Sequence, residues 1–542
     1  MQPLVLSSLI KLLGPLYLNP GFPRMDQLKY AEGANGIAVS GHDEATRTAL
    51  DILSKGGTVA DAAVAGAAVL SVALPHACGL GGDAFILIHD AQSNTTRGIN
   101  ASGPSAAAVS QERFPEGLPE RGALTCNVPG MVGGWQALHD SFGSMPWADV
   151  LKPATRLAKE GIKASPVLAR ATALYSALLA SDRGSKQFFL SNGMPLREGY
   201  ILKQAQLAKT LEEIARNGSA SLYQGAIGCS IAHACQAAGG VLSGDDFAAY
   251  APEWVTPIAT TYKGHEVRAM PPNSYGLYLL LQLMALEAQV DGHRQGLDAP
   301  TRFAKLIRAA RAAFVVGARA VADPDPKYGA ESVDMLLGPE GLKRLQAATG
   351  GKPANRGGTA VITVADSSGN AVTIIQSVFM VFGSGVSDPE TGVLLNNRML
   401  GFTLEDDHPN ALAPRKRPAH TLCPAMVFKD NRLRYALSTP GGPGQTLTLV
   451  QIIQALIEEG ASLKAAVEAP RWSMDLSGAA LAEDTMPPSV VEGVKSLGVD
   501  MATAEPKSPF FGSVKAVEMQ AGGRLRGVAD HRRDATVRAL AS

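Results

Sequence analysis

The chain has 542 residues, 46% of them hydrophobic and 18% charged, so it holds enough apolar material for a large core and too little charge for a disordered chain. Forty-nine Lys and Arg residues balance forty-nine Asp and Glu residues, and this lack of a basic excess argues against nucleic acid as a partner. Five cysteines without a C-x-x-C pair exclude a disulfide scaffold and do not fit a structural zinc site.

The first 35 residues are predicted to be a poorly ordered N-terminal extension. Their apolar run lacks a cationic start, is interrupted by Lys11 and is followed by no small-residue cleavage site, so it does not fit an export signal. The longest apolar run, Ala62–Leu74, has 13 residues, whereas a membrane span needs about 20, so we expect a buried core helix there. We therefore expect a cytoplasmic protein with no membrane partner.

From residue 36 onwards, helix and strand patterns alternate. Ala45–Leu53 and Val59–Val72 are predicted helices, and Gly79–Asp83 is a predicted turn that leads into a strand, Ala84–His89. This order predicts helices packed on a sheet. Further helices are predicted within residues 146–240 (among them Lys203–Arg216), at Leu277–Leu286, over residues 301–321 and at Gln445–Ile457.

A Gly-rich stretch that ends at residue 358 is the strongest sign of a boundary in the chain. Residues 347–358 read AATGGKPANRGG, a pattern typical of a flexible, exposed linker. Strand patterns dominate after it, which predicts a second piece that is richer in strands than the first. The predicted strands are Ala360–Ala365, Ala371–Val378, Ala425–Phe428 and Leu433–Leu437.

Thr359 stands at this boundary, directly after two glycines, which allow backbone geometries that other residues forbid. That arrangement suits an N→O acyl shift, in which the Thr359 hydroxyl attacks the carbonyl of Gly358. Hydrolysis of the resulting ester would free an N-terminal threonine whose α-amine, with a reference pKa of about 8, could activate its own hydroxyl. The alternative interpretation of the same triplet is an ordinary loop that enters a strand.

The hairpin that follows places a second hydroxyl beside Thr359. If Ala365 pairs with Ala371 across the turn, Thr359 lies opposite Ser377, with their Cβ atoms about 5 Å apart. The Ser377 hydroxyl could then orient the nucleophile. An ordinary cross-strand pair of hydroxyl residues remains the alternative.

A second Gly-rich loop, Ser438–Gly444, follows a predicted strand and opens a predicted helix. Backbone N–H groups at such a junction suit a developing oxyanion, although an isolated loop of this kind is more often a tight turn. The patterns HExxH, GxSxG and GxxxxGK[ST] do not occur in the sequence, and the ten histidines show no ligand-like spacing. The sequence therefore predicts none of the sites that these patterns mark, and no metal site.

Ordered segments spread over almost the whole chain carry a family pattern. They are GGTVADAAVAGAAVLSVALPHACGLGGDAFILIH, NVPGMVGGWQALHDSFGSMPWADVLKPATRLAKEGI, LSGDDFAAYAPEW, TAVITVADSSGNAV, FGSGV, TGVLLNN, KRP and TPGG. Together with Thr359 they resemble the γ-glutamyltransferase (γ-glutamyltranspeptidase) family of N-terminal-nucleophile hydrolases. The resemblance begins at about residue 36 and continues to the C-terminus.

The resemblance implies an α+β fold, a four-layer αββα sandwich, and no cofactor. Position by position, it places the nucleophile at Thr359, a supporting hydroxyl at Ser377 and the oxyanion pair at Gly441 and Gly442. It also implies self-cleavage between Gly358 and Thr359. The products would be a large subunit of residues 36–358 and a small subunit of residues 359–542, associated as a heterodimer, with any higher oligomer left open.

The chain departs from the family where a γ-glutamyl group would be held. The family's arginine for the substrate α-carboxylate is Ser102 here, and Leu400 and Gly401 replace two acidic residues. Phe379 replaces an asparagine, and His420-Thr421 replaces a Ser-Ser pair. A buried substrate ammonium without its carboxylate costs on the order of several kcal/mol, which argues against glutathione as the natural substrate.

The pattern IIQS, FGSGV, NR and HTL is similar to a divergent branch that includes oxamate amidohydrolase. Arg398 then becomes a candidate clamp for a substrate carboxylate, and the alternative is an exposed arginine without a role. We predict hydrolysis of a small amide that bears a carboxylate. The predicted substrate-binding residues are Ser102, Arg398, His420 and Thr421.

Three alternatives to this function stay open. One is a genuine γ-glutamyl transferase or glutathione hydrolase with altered contacts, and a weaker one is a β-lactam side-chain acylase. The third belongs to another class, an uncleaved binding protein that has kept the fold. It is suggested by Ala360 and Val361, which follow Thr359 where the family often has Thr and then His.

Overall fold

Two seven-stranded sheets, both antiparallel throughout, form the centre of the molecule. The computed structural model describes residues 28–289, 298–352, 358–506 and 508–540. The sheet that contains the strand after Thr359 is called sheet 1. In the order of their hydrogen-bonded neighbours, its strands are Thr536–Leu540, Gly36–Ser40, Ala360–Asp366, Ala371–Ser377, Asp83–Asp90, Thr95–Ala101 and Glu253–Val255.

Sheet 2 packs against one face of sheet 1. Side chains alternate between the two faces of a strand, so each sheet sends one set of residues into the layer between the sheets. That layer joins Val361 and Ile375 of sheet 1 to Ala436 and Val517 of sheet 2. The strands of sheet 2, again in spatial order, are Lys29–Gly33, Leu525–Ala529, Lys515–Met519, Arg432–Ser438, Ala425–Lys429, His265–Ala269 and Ile258–Tyr262.

Helices from the first half of the chain cover the outer face of sheet 1. The helix Val59–Ala73 is buried along its whole length, as the sequence predicts, and Thr58 and Asp61 form a capping box at its start. The helices on this side are Asp43–Ser54, Val59–Ala73, Met131–Phe142, Trp147–Glu160, Pro166–Leu174, Ser176–Ser181, Arg183–Phe189, Ala205–Asn217, Ala220–Tyr223, Ala226–Ala237 and Gly244–Ala248.

A second helical layer covers the outer face of sheet 2. It consists of Gly276–Glu287, Ala299–Val316, Val333–Leu336, Pro339–Ala347, Gly444–Ile457, Leu463–Glu468 and Pro488–Ser496. A three-stranded sheet of Trp472–Met474, Ala480–Ala482 and Met501–Thr503 adjoins this layer. The order of layers is therefore helix, sheet, sheet, helix, which confirms the predicted α+β class and four-layer αββα sandwich.

The two strands that follow Thr359 form the central hairpin, Ala360–Asp366 and Ala371–Ser377. Both strands are rich in β-branched residues and wholly or almost wholly buried. The Asp366 carboxylate closes the turn by accepting hydrogen bonds from the Asn370 backbone N–H at 3.0 Å and side-chain amide at 2.8 Å. Gly369 has φ of +95°, a conformation that favours glycine.

Segments from both sides of residue 358 contribute strands to both sheets, so the two predicted pieces share one core. The predicted extension is too long, because Lys29–Gly33 is a regular edge strand that pairs with Leu525–Ala529. Its five residues lack a clear apolar alternation, and their pairing partner lies almost 500 residues away. Residues 1–27 of the predicted extension and residues 353–357 of the predicted linker lie outside the described residues.

Within the described part of the chain, no helix is both long enough and apolar enough to cross a membrane.

Candidate active site

Thr359 lies immediately before the first strand of the central hairpin and is 7% exposed. Its Oγ1 donates a hydrogen bond to the Gly358 carbonyl oxygen at 2.6 Å. The side-chain amide of Gln445 donates to the same Oγ1 at 3.3 Å, and its own oxygen accepts from the Cys423 backbone N–H at 3.1 Å. The hydroxyl is thereby held beside the peptide bond that precedes it.

The predicted register of the central hairpin is confirmed by six observed pairs, from Ala360 with Gln376 to Ala365 with Ala371. The strand begins at residue 360, as predicted. Ser377 lies at the position opposite Thr359, but its hydroxyl contacts the preceding carbonyl, not the threonine hydroxyl: Oγ donates to the Gly358 oxygen at 2.5 Å. The Gly358 oxygen therefore receives two hydroxyl hydrogen bonds.

Gly441 and Gly442 lie in the loop before the helix Gly444–Ile457. Their φ angles are +144° and +57°, so both adopt backbone conformations that favour glycine. Their carbonyl oxygens accept from the Gly444 and Gln445 backbone N–H groups at 3.1 Å. Among the described residues, no hydrogen bond uses the Gly441 or Gly442 N–H, so both donors are available to a ligand. The Gln445 contact with Thr359 brings this loop to the nucleophile.

A fully buried polar group, the Arg398 cluster, is formed by Asp83, Ser102, Asn273, Arg398 and His420. Arg398 Nε donates to Asp83 Oδ2 at 3.2 Å, and His420 Nε2 lies 3.3 Å from the same oxygen. The second carboxylate oxygen, Asp83 Oδ1, accepts from the Gly103 backbone N–H at 2.9 Å. The Arg398 side chain is 0% exposed, so the alternative of an exposed arginine is wrong.

The guanidinium of Arg398 has unused donors. Its Nη1 and Nη2 atoms are buried and have no hydrogen-bond partner among the described residues. The ring of Phe379 covers one face of the guanidinium, 4.3 Å from its central carbon. A buried donor without a partner costs about 1–3 kcal/mol, so this arrangement calls for an acceptor from outside the described residues.

Burial shifts the pKa values of Arg398 and His420 and so decides which of the two is charged. It lowers the pKa of Arg398 to about 10, although Asp83 opposes the shift, so the guanidinium stays charged at neutral pH. Burial, together with the positive charge of Arg398, lowers the pKa of His420 to about 3. His420 is therefore neutral over the physiological range and can accept or donate one hydrogen bond at each ring nitrogen.

Ser102 belongs to the Arg398 cluster, but its hydroxyl already has protein partners. Its Oγ donates to Asn100 Oδ1 at 2.7 Å and accepts from Asn273 Nδ2 at 3.2 Å. Thr421 follows His420 in the chain and is 1% exposed. The four predicted substrate-binding residues are therefore buried in one region, and Arg398 has the donors that are still free.

Neighbouring strands connect the Arg398 cluster to Thr359. Asp83 pairs with Ser377 across sheet 1, and the Phe379 carbonyl accepts a hydrogen bond from the Gly358 backbone N–H. Phe379 has φ of +79°, a strained conformation for a residue with a side chain, held by a 2.7 Å hydrogen bond from its N–H to Ser377 Oγ. Phe379 thus stands between the Arg398 guanidinium and the segment that precedes Thr359.

Two residues of this region, Asp83 and Gln445, are missed by sequence reasoning, and a third, Phe379, is noted there only as a departure from the family. Asp83 organises the Arg398 cluster, Gln445 holds the Thr359 hydroxyl and Phe379 covers Arg398. A carboxylate at the start of an otherwise apolar strand was a usable signal for Asp83, whereas an amide that opens an apolar helix is a weak one for Gln445. Within the described part of the chain, no group of three or more His, Cys, Asp or Glu side chains could hold a metal ion.

Comparison with known proteins identifies the family. A family model described as gamma-glutamyltranspeptidase matches residues 45–540. The chain is 33% identical over 520 residues to the glutathione hydrolase-like YwrD proenzyme of Bacillus subtilis (strain 168), with 93% of this chain and 98% of that protein covered. It is 32% identical over 524 residues to the oxamate amidohydrolase proenzyme of Klebsiella pneumoniae, with 92% and 97% covered.

The solved structures agree with this assignment. The crystal structure of cephalosporin acylase from Bacillus halodurans matches with a TM-score of 0.89 and 30% identity, over 97% of this chain and 99% of that one. The chain therefore belongs to the gamma-glutamyltranspeptidase family, as the sequence motifs predicted. It is an enzyme of the N-terminal threonine amidohydrolase and acyltransferase class.

Proposed function

We propose that the chain is a proenzyme that cuts itself between Gly358 and Thr359 and then hydrolyses a small, carboxylate-bearing amide through an acyl-enzyme on Thr359. The observation that carries the proposal is the geometry at Gly358. Its carbonyl oxygen accepts hydrogen bonds from both the Thr359 hydroxyl, at 2.6 Å, and the Ser377 hydroxyl, at 2.5 Å. The relatives named as proenzymes support the same reading.

Self-cleavage begins with attack of Thr359 Oγ1 on the Gly358 carbonyl carbon. The Ser377 hydroxyl then stabilises the negative charge on the Gly358 oxygen, because it already donates to that atom. Collapse of this intermediate breaks the peptide bond and leaves an ester on Thr359. Water hydrolyses the ester, and the products are residues 1–358 and residues 359–542, which stay together because they share both sheets.

The cut creates the base for the second reaction. The free α-amine of Thr359, with a reference pKa of about 8, accepts the proton of its own hydroxyl as Oγ1 attacks the substrate carbonyl. The unused N–H groups of Gly441 and Gly442 stabilise the tetrahedral oxyanion. Water, or an amine in a transfer reaction, then releases the acyl group from Thr359.

Arg398 is the proposed clamp for the substrate carboxylate. Its two free terminal nitrogens form a fork that matches a carboxylate, and burial strengthens such a pair. The requirement for a carboxylate fits the named activity of the Klebsiella relative, because oxamate carries a carboxylate next to its amide. We therefore place the natural substrate among small amides with a carboxylate close to the scissile bond.

The competing γ-glutamyl substrate would need an acidic partner for its α-amine. The 3-10 turn Arg398–Gly401 supplies none, because Leu400 and Gly401 stand at the positions of the family's acids. A Cβ atom at residue 401 would lie only 2.6 Å from the Ala419 carbonyl oxygen and 2.8 Å from Pro418 Cβ, so an acidic side chain does not fit there. Asp83, the nearby buried acid, is already paired with Arg398.

Two measurements test the proposal. On a denaturing gel, the wild-type chain should give two fragments, whereas an intact chain after prolonged incubation would favour the uncleaved binding protein. Turnover of oxamate, γ-glutamyl-p-nitroanilide and a glutaryl amide should then be compared side by side. We expect oxamate or a similar short acid amide to be preferred, and efficient γ-glutamyl turnover would refute the assigned substrate class. A preference for the glutaryl amide would favour an acylase.

A further inference from the structure

Self-cleavage needs a base that the mature enzyme does not need. Before the cut, the nitrogen of Thr359 is part of a peptide bond and cannot accept a proton. The Thr359 hydroxyl has as neighbours the Gly358 carbonyl, which accepts from it, and the Gln445 amide, which donates to it. Neither group removes the hydroxyl proton, so the base has to come from another part of the chain.

A small cavity of about 60 Å³ opens onto Thr359. One water molecule needs about 10–15 Å³ by this kind of measure, so the cavity has room for water. Its polar lining comes from His76, Lys515, Arg533 and Asp534, residues that lie far from Thr359 in the sequence. His76 is 5% exposed, and its Nδ1 has no hydrogen-bond partner among the described residues.

Lys515 is a buried cation on the inner face of sheet 2. Val517 and Met519 of the same strand pack in the layer between the sheets, so the alternation of the strand sends the Lys515 side chain to that layer as well. The residue is 2% exposed. Its Nζ donates to the Ser513 carbonyl at 2.9 Å and to Ser513 Oγ at 2.8 Å.

The third position on the Lys515 nitrogen is not used within the described part of the chain. An ammonium has three donors, and a neutral amine has two donors and one lone pair. Ser513 satisfies two of them, and no carboxylate among the described residues forms an ion pair with Nζ. When Lys515 is neutral, its lone pair is therefore free to accept a proton from the cavity side.

The surroundings of Lys515 bring its pKa close to neutral pH, where both protonation states are populated. Burial lowers its pKa to about 7; Asp530 and Asp534 oppose this shift, and Arg533 and Arg471 add to it. Asp530 is itself engaged by Arg471 at 2.7 Å and by Arg532 at 3.3 Å. Burial also raises the pKa of Asp534 and lowers the pKa of His76 to about 4.

We propose that Lys515 is the base of the self-cleavage step and takes the proton of the Thr359 hydroxyl through water in the cavity that both residues line. The proposal rests on the proposed self-cleavage and names a residue for it. His76 lines the same cavity, but it is the weaker base of the two, and a base accepts an alcohol proton more readily as its own pKa rises.

Every proton that moves in this step is accounted for. The Thr359 proton moves to the Lys515 amine while Oγ1 bonds to the Gly358 carbon. The Lys515 ammonium returns that proton to the Thr359 nitrogen as the peptide bond breaks, which leaves an ester and a neutral α-amine. Water then adds to the ester and yields the Gly358 carboxylate, the Thr359 hydroxyl and one released proton.

The test follows cleavage of the full-length chain made by cell-free translation at about pH 6, where Lys515 is protonated, and then moved to buffers between about pH 5 and about pH 9. We expect the first-order rate of the wild type to rise about tenfold per pH unit and to level off above about pH 7. Lys515→Met, which keeps an unbranched side chain one atom shorter, should cut at least about 100-fold more slowly and without this pH dependence. Thermal unfolding of the variant checks that it is folded.

Two further variants make the test specific. Lys515→Arg keeps the positive charge but cannot accept a proton, so it should cut as slowly as Lys515→Met. Lys416→Met removes another buried lysine, whose Nζ donates to the Ala411 carbonyl at 2.7 Å away from the cavity, and should cut at the wild-type rate. Thr359→Ala should stay intact and marks the baseline.

Several outcomes would overturn the role of Lys515 alone while self-cleavage stands. They are wild-type cutting by Lys515→Met, cutting by Lys515→Arg, and a wild-type rate that is already level from about pH 5 to about pH 9, which a base with the pKa of His76, about 4, would give. A wild-type chain that stays intact at every pH would overturn the proposed self-cleavage together with its base. Failure of the Lys515 role and failure of self-cleavage are therefore distinguishable on the gels, because the wild type is cut in the first case and intact in the second.

Discussion

The nucleophile region (Gly358, Thr359, Ser377 and Gln445) and the Arg398 cluster are both buried, but they are built differently. In the nucleophile region, the hydroxyls and the carbonyl between them satisfy one another within one hairpin and the start of one helix. The Arg398 cluster joins residues 315 positions apart and leaves two guanidinium nitrogens without partners in the part of the chain that the structure describes. The first region satisfies its own polar groups and, in the proposed mechanism, takes only its base from elsewhere, whereas the proposed role of the second is to bind a ligand.

This difference indicates a division of labour. In the proposed mechanism, the group of hydroxyls around one carbonyl serves bond breaking whatever the substrate is, because the same Thr359 acts first on Gly358 and then on the amide. A buried cation with free donors discriminates between substrates by their charge. Cleavage and substrate choice should therefore be separable by mutation, and the following changes test that separation.

The largest effect is expected for Thr359→Ala. Loss of the attacking hydroxyl should leave one uncut band on a denaturing gel and lower amide turnover at least about 1,000-fold, because both reactions use the same oxygen. Thr359→Ser keeps a hydroxyl and should still give two bands. Two fragments from Thr359→Ala would show that another residue makes the cut.

Arg398→Met should separate the two regions. We expect kcat/KM for a carboxylate-bearing amide to fall roughly 100-fold or more, since the substrate anion loses its buried partner. Self-cleavage, followed on the same gels, should persist. Arg415→Met, an exposed arginine of the loop that precedes His420, is the control and should change neither reaction. Equal losses with charged and uncharged amides would contradict the clamp.

Ser377→Ala should affect the nucleophile region more than the Arg398 cluster. Removal of the hydroxyl that donates to the Gly358 oxygen should slow self-cleavage about 100-fold, the usual cost of one oxyanion donor. The rate is measured from the appearance of the small fragment with time. Thr373→Val removes a hydroxyl from the same face of the same strand and should leave the rate unchanged. An unchanged rate in Ser377→Ala would assign the oxyanion to other donors.

The smallest expected effect is a pH dependence of the free energy of unfolding that comes from His420 in the Arg398 cluster. The pKa of His420 is about 3 in the folded chain and about 6.5 when unfolded, so between these values only the unfolded chain binds the proton. The free energy of unfolding should therefore fall as pH drops through this window, by up to about 1.4 kcal/mol per pH unit for one histidine.

His420→Gln should reduce the fall in the free energy of unfolding that accompanies the drop in pH. Urea unfolding at about pH 7 and about pH 5, in an uncleaved Thr359→Ala background, measures the difference. His233→Gln, an exposed histidine on the helix Ala226–Ala237, provides the control. Equal acid sensitivity of His420→Gln and its parent would show that His420 is not held neutral by burial.

The sequence anticipated the parts of the molecule that depend on short-range pattern. Register in the central hairpin follows from a turn and an alternation of side chains, and the helix Val59–Ala73 follows from a long apolar run between a cap and a proline. Thr359, Ser377 and the glycine loop stand close to such elements, so their relation was predictable. The edge strand Lys29–Gly33 was not, because its pairing partner lies at the other end of the chain.

By itself, the sequence determined the family through its motifs, the order of the layers through that resemblance, and the position of the hydroxyl next to a Gly-rich boundary. Only the tertiary structure decided which charges meet. It buried Arg398 against Asp83 and His420, and it brought Lys515 to the cavity beside Thr359. The physical reason is that the cost of burying a charge depends on which distant segments surround it, and no local pattern records those neighbours.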